Sequence, residues 1–219
     1  LFKQGIFAAP LESHDDFVLE GGSIESDGKG TVLTTAQCLL APHRNQPLSE
    51  AEIEEKLKAT LGAKRVVWLH HGNLVGDDTD GHIDTIVRIC PNDTLLYVGC
   101  DDEADEQYAD FKALEAELQA LTTADGKPYR LLKLPMPDKM VFDGERLPAT
   151  YANFLVINGA VIVPVYGQPE KDGEAEALIG EAFPGREVIA VDASVIVRQH
   201  GSIHCITMQL PKGMIKTNM

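Results

Sequence analysis

The chain has 219 residues, 44% of them hydrophobic, and a formal net charge of −15 at pH 7. That length and composition suffice to bury a core as one domain or two small ones, and the acidity argues against a nucleic-acid backbone or an anionic membrane as partner while tolerating cationic ligands. No run approaches the roughly 20 apolar residues of a membrane helix, and the opening LFKQGIF lacks the pattern of a signal peptide. Four cysteines without CxxC spacing (Cys38, Cys90, Cys100 and Cys205) read as free thiols of a reducing compartment. A cytoplasmic protein is expected. Because it starts at Leu1 without a methionine, the chain is expected to be part of something longer.

The elements repeat along the chain. Residues 17–35 read as two extended runs around an Asp27-Gly28 turn. Ser49 and Glu52 form a capping box, Ile53, Leu57 and Leu61 share one helical face, and Gly62 can end that helix before the strand RVVWL. A second hairpin is predicted over 82–99 around Pro91-Asn92-Asp93, then a helix through Tyr108, Phe111, Leu114, Leu118 and Leu121, then RLLKL. The third hairpin, 153–167, turns on Asn158-Gly159; the helix EAEALIGEAF follows, closed by Pro184-Gly185, and then the strand EVIAVDA. A fourth, shortened hairpin is expected over 202–211. The unit is ββαβ, an internal periodicity that builds closed or stacked architectures. Three units and part of a fourth would leave sheet edges and one flank of the core open.

Unusual polar residues occupy the hairpins. Glu20 stands before Gly21-Gly22 at the end of an apolar run, where it is either a solvated turn residue or part of a site that backbone or ligand approaches closely. The stretch GDDTDGHID gathers Asp77, Asp78, Asp80, His82 and Asp84. On a strand, His82 and Asp84 would share a face. An EF-hand is excluded by the missing closing glutamate; looser metal ligation and a solvated acidic turn stay open. In GSIHCITM, alternation along a strand would set Ile203 and Cys205 on one face and His204 on the other. His204 is then a structural histidine rather than the base for Cys205. A nucleophilic cysteine needs a histidine and an orienting acid from elsewhere, and His82 and Glu20 are the available pair.

Taken together, VLEGGSIESDGKGTVLTT, the Arg44-Asn45 pair after CLL, GDDTDGHID, TYANFLVINGAVIVP and GSIHCIT resemble the agmatine deiminase and bacterial peptidyl-arginine deiminase family. The resemblance implies an α/β fold, a pentein-type five-bladed α/β-propeller of ββαβ units, here incomplete: residues 1–219 would be one catalytic domain lacking an N-terminal portion. It implies Cys205 as nucleophile, His82 as general acid/base, Glu20 as the acid beside that imidazole, Asp84 as a carboxylate gripping the guanidinium, and Asp78 facing the far end of the substrate. Asn153 would position substrate or satisfy a turn. Arg198-Gln199-His200 stands where the family has a glycine-rich lead-in, and the family's second guanidinium-binding aspartate, in an Arg-Asp-x-Gly-Pro type motif, would fall before Leu1.

The implied reaction is hydrolytic deimination of agmatine to N-carbamoylputrescine and ammonia through a Cys205 thiouronium, with no metal or organic cofactor. Free or peptidyl arginine is the alternative substrate, and a truncated guanidino-binding fragment without turnover the alternative class. The expected partners are a small cationic guanidino substrate and further copies of the chain in a homo-oligomer.

Overall fold

Three stretches of sequence each fold into an antiparallel hairpin whose second strand is joined, through a helix, to a parallel third. The computed structural model describes residues 5–10 and 12–216. The first unit contains β1 (Ile24–Ser26), β2 (Thr31–Thr35), a short α1 (Ala36–Leu39), α2 (Glu50–Leu61) and β3 (Arg65–Leu69). The second contains β4 (Val87–Cys90), β5 (Thr94–Gly99), α3 (Tyr108–Ala120) and β6 (Arg130–Pro135). A two-stranded ribbon, β7 (Val141–Phe142) and β8 (Glu145–Arg146), precedes the third unit of β9 (Leu155–Ile157), β10 (Ala160–Val165), α4 (Pro169–Ala182) and β11 (Glu187–Asp192). The result is an α/β fold with three mixed three-stranded sheets, ordered β1-β2-β3, β4-β5-β6 and β9-β10-β11.

The local chemistry accounts for these elements. Asp27 turns the first hairpin by accepting the backbone N–H groups of Lys29, Gly30 and Thr31 at 2.7–3.0 Å, with Gly28 at φ +66°. Gly159 at φ +83° does the same for the third. In α2 the predicted capping box is present, and Gly62 ends the helix in the left-handed conformation. The helix predicted over 174–183 starts earlier, at Pro169, whose fixed φ suits the first turn. Neither α1 nor the β7–β8 ribbon was anticipated.

The central strand of each sheet is its most buried, and every residue of β2 and β5 is buried. One core runs from Leu33, Val67 and Leu69 through Phe111, Leu114 and Leu134 to Phe154, Val161 and Ile179. A smaller cluster of Cys38, Leu39, Ile53, Leu57, Val66 and Trp68 lies under α2. Arg88 ties the three units together. Its Nε donates to Glu25 Oε1 at 2.7 Å, and its Nη1 to the carbonyls of Ala152 and Phe154 at 2.8 and 2.6 Å.

Three expectations are corrected. Residues 202–211 form no hairpin; they run through turns, because the N–H groups of His204 and Cys205 bond to Asn153 instead of a neighbouring strand. Val18 to Glu20 is not a strand either, since the Asn45 side chain takes both the N–H and the carbonyl of Val18, at 2.8 and 2.9 Å. His82 and Asp84 do not alternate along a strand: His82 caps a single 3-10 turn, Ile83–Thr85. No helix among the described residues is long and apolar enough to cross a membrane.

Candidate active site

The segments that lead into the first strand of each unit come together. Glu20 and Gly22 precede β1, His82 and Asp84 precede β4, and Asn153 precedes β9. Glu20, Gly22, His82, Asp84, His204 and Cys205 line one cavity of about 750 Å³. Repetition of the unit therefore brings chemistry from distant sequence to a shared centre. A second depression, of about 680 Å³, is rich in charge, but its acids are consumed locally: Asp101 pairs with Lys112 and Lys133, Asp105 with Arg146, and Asp138 with Lys171.

Glu20 is held from behind. Arg44, only 6% exposed, donates from Nε to both Glu20 oxygens at 3.0 and 3.2 Å, and from its other nitrogens to Asp80 at 2.8 Å and the Thr79 carbonyl at 2.6 Å. Arg44 thereby joins Glu20 to the loop that carries His82. Within that loop Asp77 accepts the N–H of Gly81 at 2.8 Å and the hydroxyl of Thr79. Asp77 and Asp80 thus brace a turn. His82 makes no hydrogen bond to Glu20; its Nε2 is buried with no hydrogen-bond partner among the described residues.

Gly22 permits the close packing on the opposite side. A Cβ there would stand 2.6 Å from His82 Nδ1 and 3.0 Å from Asp84 Oδ1, whereas one on Gly21 would meet nothing within 4 Å. Of the two glycines only Gly22 is required by contact.

Asp84 is almost wholly buried. Its Oδ2 accepts from Asn153 Nδ2 at 3.0 Å and faces His204 Nδ1 at 2.6 Å. Its Oδ1 is buried with no hydrogen-bond partner among the described residues. Asn153, fully buried, accepts with its Oδ1 the N–H groups of His204 at 3.0 Å and Cys205 at 3.3 Å. One amide thus fixes the carboxylate and the nucleophile loop relative to each other. Tyr166 adds a second tie, its hydroxyl lying 3.0 Å from Ser202 Oγ and 2.9 Å from the Thr150 carbonyl.

Cys205 is the exposed cysteine of the four. The desolvating surroundings of its thiol push its pKa up, and the Asp84 charge pushes it further, against smaller opposing effects of the Ser202 backbone and the Asn153 side chain. These surroundings favour the neutral thiol, and a cation bound against Asp84 would offset the carboxylate's effect and favour thiolate. A Cβ on Gly201 would lie 2.9 Å from that of Cys205, so the glycine lets the loop fold back upon itself.

The structure gathers Cys205, His82, Glu20 and Asp84, four of the five residues singled out from the sequence. Asp78 is exposed and does not line the cavity. His204, read as structural on the assumption of a strand, faces the cavity and pairs with Asp84. The contributions of Arg44 and Asn153 rest on contacts 24 to 69 residues apart; their presence in the motifs was the only signal. The unusual lead-in turns away, with His200 at φ +66° anchoring its Nδ1 2.7 Å from the Gly76 carbonyl and Arg198 stacking 4.6 Å over the Phe142 ring.

Comparison with known proteins agrees with this arrangement. Residues 3–211 match the Porphyromonas-type peptidyl-arginine deiminase family. A Porphyromonas gingivalis structure, provisionally named an arginine deiminase, superposes with a TM-score of 0.95 at 50% identity over 98% of this chain and 64% of that one. The agmatine deiminase of C. jejuni, solved with substrate bound, gives 0.80 at 42% identity over 86% of this chain and 54% of that one. The agmatine deiminase of Medicago truncatula is 38% identical over 221 residues, 92% of this chain and 59% of that protein. The chain thus spans about three-fifths of the length of the curated relatives it matches. With its match over nearly the whole chain, it belongs to the Porphyromonas-type peptidyl-arginine deiminase family.

Proposed function

We propose that this chain carries the catalytic centre of a guanidine deiminase, with agmatine as substrate and N-carbamoylputrescine and ammonia as products, and that its three ββαβ units are blades of a pentein-type propeller. The observation that carries the reading is Asp84 Oδ1, a buried carboxylate oxygen without a hydrogen-bond partner among the described residues, in the cavity that Cys205 also lines. Such an acceptor is costly to leave unmet, and a guanidinium N–H is a charge-assisted donor suited to it.

With the guanidinium held there, the Cys205 thiolate attacks its central carbon and forms a C–S bond. Protonated His82 gives its proton to the departing nitrogen, and ammonia leaves as the C–N bond breaks, giving a thiouronium. Neutral His82 then takes a proton from water. The hydroxide adds to the same carbon, the C–S bond breaks, the hydroxyl proton passes to solvent, and the ureido product leaves with Cys205 restored as thiolate and His82 as imidazolium. Glu20, fixed by Arg44, supplies negative charge near His82 in its protonated form. No step calls on a metal or an organic cofactor.

Agmatine is favoured over free arginine because the surroundings are acidic and a substrate α-carboxylate would be repelled. Names of similar proteins support the same choice. Asp78, being exposed, has no part in it. The test is kcat/KM of the full-length protein for agmatine, free arginine and a blocked arginine peptide, with Cys205→Ser as control. Agmatine should exceed arginine by at least tenfold, and Cys205→Ser should release no ammonia. Equal efficiency on the blocked peptide would replace agmatine with peptidyl arginine, and turnover by Cys205→Ser would overturn the mechanism.

A further inference from the structure

We propose that Glu20, Cys38 and His82 form a binding site for a thiophilic divalent cation of the zinc class. One potential ligand atom from each of the three lies within 4.8 Å of the others. Glu20 and His82 line the cavity; Cys38 lies beneath them, fully buried in the cluster under α2, and has no part in the deimination scheme.

Thiolate, imidazole and carboxylate are the donors zinc prefers, with bonds of about 2.0–2.3 Å that place tetrahedral ligand atoms roughly 3.3–3.8 Å apart. The three side chains would have to close by little more than an ångström. Three protein ligands would leave a fourth position for water on the cavity side.

A further observation points to a cation: His82 Nε2 is buried without a hydrogen-bond partner among the described residues, although a buried polar atom is normally satisfied. Glu20 remains able to ligate while held by Arg44, because two carboxylate oxygens offer about four acceptor positions. Binding forms one metal–sulfur, one metal–nitrogen and one metal–oxygen bond, and the Cys38 thiol proton passes to solvent. There is no change of oxidation state.

The consequence of occupancy rests on the deiminase reading. A metal on His82 and Glu20 would withdraw His82 from proton transfer, neutralise the Glu20 charge beside it, and inhibit turnover reversibly. The site itself does not depend on that reading, because binding can be measured without substrate.

The experiment is a titration of the protein with cobalt(II), a spectroscopically visible substitute for zinc, following the thiolate-to-cobalt charge-transfer band and the intense visible bands of tetrahedral cobalt. The wild type and Cys205→Ala should both develop these bands at one equivalent. Cys38→Ala should lose the charge-transfer band and bind at least tenfold more weakly. Cys38→Ser, which preserves volume, should behave likewise, so that a packing defect in the alanine variant does not decide the matter. Glu20→Gln should keep the sulfur band with weakened affinity. No cobalt binding, or a band that survives in Cys38→Ala and vanishes in Cys205→Ala, would overturn the site. In the full-length protein, zinc should inhibit agmatine turnover, and Cys38→Ser should need at least tenfold more zinc. Equal zinc sensitivity of the two would overturn the inhibitory consequence. Absence of agmatine turnover with intact cobalt binding would instead count against the deiminase reading alone.

Discussion

At the scale of single residues, the site is governed by close contacts that leave no room for one more carbon. Gly21 and Gly22 are neighbours of the same type with different duties. A Cβ at Gly22 would lie 2.6 Å from His82 Nδ1 and 3.0 Å from Asp84 Oδ1, and these belong to the proposed proton-transfer and guanidinium-binding groups. Asp84 cannot retreat freely, because its backbone lies in a 3-10 turn and its side chain is gripped by Asn153. Displacing reacting groups by a fraction of an ångström to 1 Å can cost about 100-fold. Gly22→Ala should therefore lower kcat/KM by about 100-fold with little change in Tm, while Gly21→Ala stays within about threefold of wild type. Steady-state kinetics and thermal melts of the two variants check this, and equal effects at the two positions would contradict the packing account.

At the scale of elements, the hairpins and helices follow from local chemistry, whereas their assembly depends on buried polar groups. Arg88 on β4 pairs with Glu25 on β1 and caps two carbonyls just before β9, with its guanidinium 4.4 Å over the Phe154 ring. Glu25 in turn accepts the N–H of Ile89 at 2.9 Å. Removing one partner of a buried pair leaves the other charge unmet, a loss of about 3–5 kcal/mol. Arg88→Met should lower unfolding stability by that amount, measured by urea denaturation. Glu25→Gln combined with Arg88→Met should recover part of it, because neither charge is then left alone. If Arg88→Met costs less than about 1 kcal/mol, the pair does not hold the units together.

The same contrast explains what could be read from the sequence. The Asp27-Gly28 and Asn158-Gly159 turns, the Ser49–Glu52 box and the apolar faces of α2 and α3 are all written within a few residues, and each is present, except that Leu61 at the end of α2 is exposed. His82, Asp84 and Cys205 were legible as chemistry but not as geometry. Strand alternation supplies a face only where a ladder exists, and the hydrogen bonds of these segments go elsewhere: His82 N–H to Thr79 Oγ1, Cys205 N–H to Asn153 Oδ1. That is why His204, placed on the far face by alternation, turns out to meet Asp84. No pattern within GDDTDGHID distinguishes the aspartates that brace the loop or hold Arg44 from Asp78, which stands in solvent.

At the scale of the whole molecule, the distribution of the four cysteines sets where it reacts. Cys38 is buried in the smaller cluster, Cys90 and Cys100 are buried in the main core, and Cys205 stands at the cavity. Burial pushes the thiols of Cys38 and Cys90 up to about 12 and raises that of Cys100 as well. A neutral alkylating reagent such as iodoacetamide should therefore modify the native protein once, at Cys205. Thiolate is the reacting form, and the pKa of Cys205 is raised above its ordinary value of 9.0, first by desolvation and then by Asp84. The sign follows directly: a raised pKa means less thiolate at any pH below it, so labelling should be slower at pH 7 than for free cysteine and should climb past pH 9. Removing the Asp84 charge withdraws the larger of the two carboxylate charges, Asp84 and Asp77, that raise it. Asp84→Asn should accordingly speed alkylation at fixed pH and move the inflection downward, while weakening binding of a guanidinium ligand that must meet that carboxylate. The two effects oppose each other, which a general loosening of the loop would not reproduce, since it would leave the binding loss without the downward shift. Mass-spectrometric mapping over a pH series reads both the site and the inflection; modification of a buried cysteine in the folded protein, or an Asp84→Asn inflection at or above that of wild type, would contradict this electrostatic account of Cys205.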